Sequence, residues 1–341
     1  MIQQALQRLL DGHDLLRDET REVMGEIMRG EATPAQIGGF LVALRAKGET
    51  PDEIAGCAEA MRGHVLAVRP ERDDLVDTAG TGGDGARTIN ISTAAALVAA
   101  AAGAAVAKHG NRAVSSACGS ADVLEALGFE LEQEPAHIAR SIDELGFGFL
   151  FAPSHHPAMR HAAPVRKELA TRTVFNVLGP LTNPAGARAQ VVGVYSPQLV
   201  RTIAEVLARL GARRAFVVHG AGGIDELSPV GTNLVCEVVD GSVHERELDP
   251  LDELGVPRCS LEELRGGTPE ENAAAIRAVF AGADGGARSA VLLNAAGAIA
   301  AGGHAADLRE GLSLATAAID SGAAAERLER LIAFSRKTVV A

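Results

Sequence analysis

The chain has 341 residues, no tryptophan and a single tyrosine, and aromatics make up only 3% of it. Its core must therefore be built from Ala, Val, Leu and Ile. Cysteine is scarce: Cys57, Cys118, Cys236 and Cys259 are scattered without CxxC spacing. That speaks against a zinc ribbon and against a disulfide framework, and fits a reducing, cytoplasmic compartment. The opening MIQQALQRLLDGHD has no cationic segment leading into an apolar one, so no signal peptide is expected. Long hydrophobic runs are missing too. The longest candidate, residues 91–107, is mostly alanine, bounded by Asn90 and Lys108, and shorter than the roughly 20 residues that a membrane helix needs. A buried helix followed by a strand is the better expectation. Positive charge is in deficit, with a formal net charge of −12. A broad electrostatic footprint for nucleic acid or anionic membrane is thereby excluded, although a local site can still hold an anionic small molecule.

Hydrophobic residues make up 47% of the chain, enough for a substantial core and too many for wholesale disorder. The length suggests two domains, or one large domain with an appendage. Residues 1 to about 66 read as helices, with apolar residues at helical spacing in Val23, Met24, Ile27, Met28 and again in Ile37, Phe40, Leu41, Leu44. Thr33-Pro34-Ala35-Gln36 and Thr50-Pro51-Asp52-Glu53 each place Thr at the N-cap, Pro at the first helical position and Gln or Glu at N3. No chemistry is suggested in this part; it reads as a packing or dimerisation unit.

From about residue 73 short apolar runs alternate with Gly-rich loops and Ala-rich helical stretches. Strands are expected at Leu75-Val76, Ala104 to Ala107, Phe147 to Phe151, Gln190 to Val194, Ala215 to Val218 and Ala290 to Leu293. Such alternation implies an α/β fold, a mostly parallel central sheet flanked by helices. Ligands of such sheets sit at the carboxyl ends of the strands, which directs attention to the loops that follow them.

The first such loop is Gly80-Thr81-Gly82-Gly83-Asp84-Gly85. Its spacing fits the dinucleotide pattern GxGxxG. Three features oppose that reading: Ala86 to Ile91 is β-branched and polar, the helix begins only near Ser92-Thr93, and the next strand ends in Lys108-His109 where a ribose-binding acid is wanted. A pyrophosphate cradle fits better. Glycines admit phosphate oxygens to backbone N–H groups, and Asn90, Ser92 and Thr93 at a helix start add donors. Asp84 is odd beside phosphates unless a cation lies between them, as Mg²⁺ often does; otherwise the loop is a tight turn with an Asp cap. The second loop, Lys108-His109-Gly110-Asn111-Arg112 followed by Ser115, Ser116, Cys118, Gly119 and Ser120, supplies a point charge, a guanidinium fork and small hydroxyls at the neighbouring strand end.

GTGGDG, NIST and KHGNRAVSSACGSADVLEALG, continuing through HPAMRHAAPVRKEL, RTVFNVLGPLTNP and GIDELSP, resemble anthranilate phosphoribosyltransferases, over about residues 77–232. The resemblance implies an enzyme of tryptophan biosynthesis with a small helical domain, residues 1–70 joined by about 164–184, and a large α/β domain, residues 71–163 and 185–341. It implies that phosphoribosyl pyrophosphate is held by Gly80, Thr81, Gly82, Gly83, Asp84, Thr88, Asn90, Ser92, Thr93, Lys108, Asn111 and Ser120. Two Mg²⁺ per monomer would be served by Ser92 and by Asp225-Glu226; adjacent carboxylates after a strand suit a hard cation. The acceptor would lie near Gly80, His109, Asn111, His156, Arg166 and Pro180, at the domain interface. Arg166 is the partner expected for its carboxylate, and the neighbouring His155 competes with His156 for the site. Lys108, Arg166 and His109 are the expected catalytic residues. A homodimer through the N-terminal helices is implied as well, with no nucleic-acid or membrane partner. Ala79 and Ala170 are less usual choices within the motifs.

In the implied reaction the anthranilate amine attacks C1 of the ribose and pyrophosphate leaves. Mg²⁺ and Lys108 neutralise the developing charge, and His109 or His156 is available to take the amine proton. The rival readings are a pyrimidine nucleoside phosphorylase, similar in fold but without need of two metal sites, and a non-catalytic nucleic-acid-binding relative, which would lack the GTGGD loop and carry a basic groove.

Overall fold

The computed structural model describes residues 1–113 and 117–337, so Ser115 and Ser116 lie outside the described residues. Four helices open the chain: α1 Ile2–Leu10, α2 Arg17–Arg29, α3 Pro34–Lys47 and α4 Pro51–Arg62. Both expected capping boxes form. Thr33 Oγ1 accepts the Gln36 N–H at 3.3 Å while the Thr33 N–H donates to Gln36 Oε1 at 2.9 Å, and Thr50 with Glu53 repeats the exchange at 3.3 and 2.8 Å. The apolar faces read from the sequence (Val23, Met24, Ile27, Phe40, Leu41, Leu44) are fully buried. Each such side chain contributes about 1.5–3 kcal/mol.

The α/β part follows in the order β1 Leu75–Gly80, α5 Ile91–Ala101, β2 Ala105–Gly110, α6 Ser120–Leu127, α7 Pro135–Leu145, β3 Phe147–Phe151. The segment 91–107 is thus a buried helix and a strand. Three short helices come next, α8 Ala152–His155, α9 Ala163–Leu169 and α10 Phe175–Leu178, then β4 Ala189–Gly193, α11 Gln198–Arg209 and β5 Arg214–His219. Val165, Phe175, Leu178 and Leu181 share one buried cluster with α1–α4, α11 and one face of β4 and β5. The chain ends in β6 Asn233–Val239, β7 Ser242–Leu248, α12 Pro250–Leu254, α13 Pro269–Phe280, α14 Gly286–Ala301, α15 Leu308–Asp320 and α16 Ala323–Ser335. Among the described residues no helix is long and apolar enough to cross a membrane, and Cys57, Cys236 and Cys259 are free thiols.

The strands form one sheet in the order β3-β2-β1-β4-β5-β6-β7. The first five pair in parallel, and β6 and β7 add an antiparallel hairpin at the edge. Two expectations change. Ala290 to Leu293 is no strand but lies inside α14, where a run of Ala and Leu continues on both sides at helical length. The β6–β7 hairpin is an addition; its turn, Asp240-Gly241, has φ of 45° and 85°, as a tight hairpin turn requires. The chain winds from β1 outward to β3, returns to β4 beside β1 and winds the other way. The switch point, where open α/β sheets bind ligands, is therefore the crevice beyond the carboxyl ends of β1 and β4.

Candidate active site

The glycine loop leaves β1 at that switch point. Gly82, Gly83 and Gly85 adopt φ of 68°, 79° and 76°, accessible to glycine without strain. The loop is tied to β4 by the Thr81 N–H on the Gly193 carbonyl at 2.8 Å and the Tyr195 N–H on Thr81 Oγ1 at 3.1 Å. It is tied to the loop after β5 by the Gly82 N–H on Asp225 Oδ2 at 2.7 Å and the Asp225 N–H on Asp84 Oδ2 at 3.2 Å. The approach is close enough that only glycine fits: a Cβ at Gly80 would lie 2.3 Å from Asp225 Oδ2, and one at Gly193 1.5 Å from the Asp225 carbonyl oxygen.

A cavity of about 340 Å³ opens above this loop, lined among others by Gly80 to Gly83, Ser92, Lys108, Asn111 and Ser120. Lys108 is buried beneath it; its ammonium donates to the Thr78 carbonyl and lies 3.3 Å from both Thr78 Oγ1 and Ser92 Oγ. Burial lowers the Lys108 pKa, against the pull of Asp77, Glu226 and Asp225. The same burial raises Asp225 and Glu226, helped in turn by Asp84 and by Asp225. Glu226 accepts the Ser92 N–H at 3.2 Å, which brings the acid pair to the start of α5. Among the described residues no three His, Cys, Asp or Glu side chains form a ready metal cage. The donor set still suits Mg²⁺, a hard cation that takes one or two carboxylates and completes its shell with water and phosphate oxygens. Two half-buried carboxyls held close together, each raised in pKa, are the groups that gain most from such an ion.

Four of the residues assigned to the donor have other neighbours. Asn90 contacts Asn272 and Cys118, Thr88 pairs with Arg265 across a separate hollow, Thr93 is fully buried with its hydroxyl unpartnered, and Asp84 caps Ala86 and Asp225.

A second cavity, about 550 Å³, adjoins the first and shares Gly80, His109, Asn111, Arg166 and Pro180 with it. His156 also lines it, so all six residues expected around the acceptor converge here, while Met61, Pro153, Met159 and Phe175 supply apolar walls. His155 turns away; its Nδ1 bonds the Leu66 carbonyl at 2.8 Å. His109 and His156 meet through their Nε2 atoms at 3.1 Å, and His109 Nδ1 lies 3.0 Å from the Gly179 carbonyl. A carbonyl only accepts, so His109 carries its proton on Nδ1. Its Nε2 is then a lone pair, and His156 must donate from Nε2. Burial, reinforced by the neighbouring imidazole, pushes His109 down to about 3, and burial followed by His155 pushes His156 down to about 4. Both are neutral at pH 7. Arg166 is half-buried over the Phe175 ring at 5.0 Å, and among the described residues neither a hydrogen bond nor an ion pair engages its guanidinium. Sequence reasoning passed over Arg172, whose Nη2 donates to the Gly83 carbonyl at 2.6 Å, and Phe175 and Asn176 beside it. The signal was an isolated arginine in the loop between α9 and α10.

The fold and this site are those of a two-part glycosyl transferase. Residues 3–65 match the glycosyl transferase family helical bundle domain, and residues 72–325 match the glycosyl transferase family a/b domain. The anthranilate phosphoribosyltransferase of Anaeromyxobacter sp. (strain Fw109-5) is 56% identical over 336 residues, 98% of this chain and 99% of the relative. The crystal structure of the Thermus thermophilus anthranilate phosphoribosyltransferase superposes with a TM-score of 0.93 at 52% identity, covering 98% of this chain and 99% of that one. The Saccharomyces cerevisiae enzyme in complex with PRPP and Mg superposes at 0.88 with 28% identity, over 98% and 97%. The chain belongs to the anthranilate phosphoribosyltransferase family.

Proposed function

We propose that this chain transfers the 5-phosphoribosyl group of phosphoribosyl pyrophosphate to the amine of anthranilate, giving N-(5-phosphoribosyl)anthranilate and pyrophosphate in tryptophan biosynthesis. Arg166 carries the reading. A guanidinium with no ion-pair partner among the described residues, held half-buried between an apolar hollow and a glycine-loop cavity, is costly unless a ligand supplies its counter-charge. An aromatic carboxylate does so: its ring lies against Met61, Met159 and Phe175, and its carboxylate meets the fork bidentately.

The donor's pyrophosphate lies over the glycine loop and the start of α5, with the Lys108 charge beneath. Ser92, Asp225 and Glu226 would hold Mg²⁺, two ions per monomer in this reading, which when bound neutralises phosphate charge and the leaving pyrophosphate. The amine lone pair forms the bond to C1 as the C1–oxygen bond breaks and its electron pair leaves with pyrophosphate. The new secondary nitrogen is acidic until it loses a proton. His156 Nδ1, the basic atom left free by the fixed tautomers, takes that proton after attack. The complex of the yeast relative with PRPP and Mg supports the donor and metal assignments.

We also infer that residues 1–70, joined by 164–184, act as one unit against 71–163 and 185–341, with the acceptor hollow between them. Leu10 on α1, Leu16 in the turn between α1 and α2, and Val42 on α3 are exposed and support a homodimer through that unit, which sedimentation would test. The free thiols of Cys57, Cys236 and Cys259 support a cytoplasmic setting. The test of function is direct: mix the chain with phosphoribosyl pyrophosphate, Mg²⁺ and anthranilate and follow anthranilate fluorescence. Loss that requires all three components is expected; no loss from folded protein refutes the reading.

A further inference from the structure

Arg172 stands in the loop between α9 and α10, two residues beyond Ala170, which ends α9 in the left-handed region at φ 45°. A residue with a Cβ held in that region marks a turn that its surroundings over-determine. Here the surroundings are identifiable. Arg45, on α3, donates from Nη1 to Thr171 Oγ1 at 2.7 Å and to the Arg172 carbonyl. The turn is thus bound to the helical layer on one side. On the other side the Arg172 side chain reaches the glycine loop, with Nη2 donating to the Gly83 carbonyl at 2.6 Å and the guanidinium 3.7 Å over the Tyr195 ring. Tyr195 in turn holds Thr81 through its N–H. Among the described residues no carboxylate lies within ion-pair distance of Arg172, although the chain carries 44 Asp and Glu. Arg172 also lines the donor cavity.

We propose that Arg172 is a positioning residue that latches the glycine loop to the helical layer, so that the α3–Arg45 contact sets the shape of the donor cavity and the unpaired face of the guanidinium meets the incoming polyphosphate. The chemistry favours arginine. A planar guanidinium stacks on a ring and donates in its own plane at once, which an ammonium does not. With Gly83 holding one nitrogen, the fork is pre-oriented toward phosphate oxygens. The proposal rests on the reading of the loop as a polyphosphate cradle.

Tyr195 is the only tyrosine, and there is no tryptophan, so intrinsic fluorescence reports on the latch alone. The experiment compares the full chain with Arg172→Gln, Arg172→Lys and Arg45→Ala, reading Tyr195 emission without ligand and then during titration with inorganic pyrophosphate in Mg²⁺. Amide exchange of residues 81–85 is followed in parallel. Arg172→Gln is expected to alter the unliganded emission, to weaken pyrophosphate about tenfold or more, as loss of a charge-assisted hydrogen bond predicts, and to speed exchange in the loop but not in α5 or α14. Arg172→Lys should recover part of the pyrophosphate affinity without the unliganded emission, and Arg45→Ala should move both readouts in the direction of Arg172→Gln by a smaller factor. With the reaction running, the donor KM should rise and the anthranilate KM should not. Unchanged Tyr195 emission and loop exchange in Arg172→Gln, or faster exchange throughout the chain, overturns the latch. If the unmodified chain fails to bind pyrophosphate, the polyphosphate reading falls, and the unliganded emission and loop exchange alone decide the latch.

Discussion

Arg166→Met removes the charge from the seam between the two cavities and keeps most of the stem that lies over Phe175. Among the described residues the guanidinium has no hydrogen-bond or ion-pair partner, and burial lowers its pKa. Its removal should therefore leave the unliganded protein as stable as before, or slightly more so. In the complex the same change leaves a substrate carboxylate facing apolar walls with no counter-charge. A charge-assisted bidentate pair at a partly desolvated site accounts for about 2–4 kcal/mol, so the anthranilate KM should rise by roughly 30- to 900-fold. The donor KM should change by no more than about threefold, because its contacts lie on the loop side. Steady-state rates from anthranilate fluorescence, with each substrate varied in turn, together with a thermal melt, measure all three quantities. Equal rises in both KM values would refute the assignment. So would a melting point lowered by more than a few degrees, which would mean that Arg166 is a structural residue whose partner was overlooked.

Asp225→Asn should raise the Mg²⁺ concentration for half-maximal rate by about tenfold or more, as loss of one of few carboxylate ligands to a hard cation requires; an unchanged Mg²⁺ titration removes Asp225 from the metal site. The His109–His156 pair predicts an acid limb in stability. Both folded-state pKa values lie below the ordinary 6.5, so their contribution is complete above about pH 6.5 and is lost as pH falls toward 4 and 3. For His156 alone this amounts to about 3 kcal/mol by pH 4, and urea unfolding of His156→Gln should show a shallower acid limb; an identical slope would contradict it. Gly193→Ala forces a Cβ to within 1.5 Å of the Asp225 carbonyl oxygen, a backbone atom, and should cost more than about 4 kcal/mol or prevent folding. Gly211→Ala, at φ 78° with nothing near its Cβ, should cost only about 1 kcal/mol; melts that rank the two equally would refute the steric argument. Ala170→Gly, which relieves a φ of 45°, should stabilise by about 0.5–1 kcal/mol in the same assay, and a loss would show that the turn is not strained.

What could be read beforehand was what local rules determine. Caps are local, so the Thr33 and Thr50 boxes were visible, and the apolar runs that became β1 to β5 are bounded by glycine and polar residues. Ala290 to Leu293 misled because an apolar run of four has no period of its own; only the alanines continuing on both sides distinguish the buried α14 from a strand. The hairpin at β6–β7 has its local signal in Asp240-Gly241, a two-residue turn with both φ angles positive. At the site, charges and glycines were legible because their chemistry is restrictive. Arg172 was not, since its role depends on Gly83, Tyr195 and Arg45, at most 127 positions away and on three different elements. The orientation of His156 over His155 was equally out of reach, being set by whether Leu66 or His109 offers the partner.

The unliganded site is electrostatically unresolved at three points, and each has a different remedy. Arg166 holds a guanidinium with no hydrogen-bond or ion-pair partner among the described residues, Asp225 and Glu226 set two carboxyls side by side, and Lys108 is buried with Asp77 and the acid pair as its counter-charges. A chain of net charge −12 repels a free polyphosphate at long range, so the donor's own charge has to be reduced as it arrives. A metal-bound donor meets that condition. In the proposed reading its cation would answer the carboxylates, and its phosphates would answer Lys108 across the glycine loop. Arg166 then remains for the acceptor, which on the proposed reading carries its carboxylate on an aromatic ring, because the walls around it are Met61, Met159 and Phe175. Groups fixed in place before the ligands arrive need little reorganisation when charge develops on the leaving pyrophosphate, and this is the form of electrostatic stabilisation that lowers a barrier most.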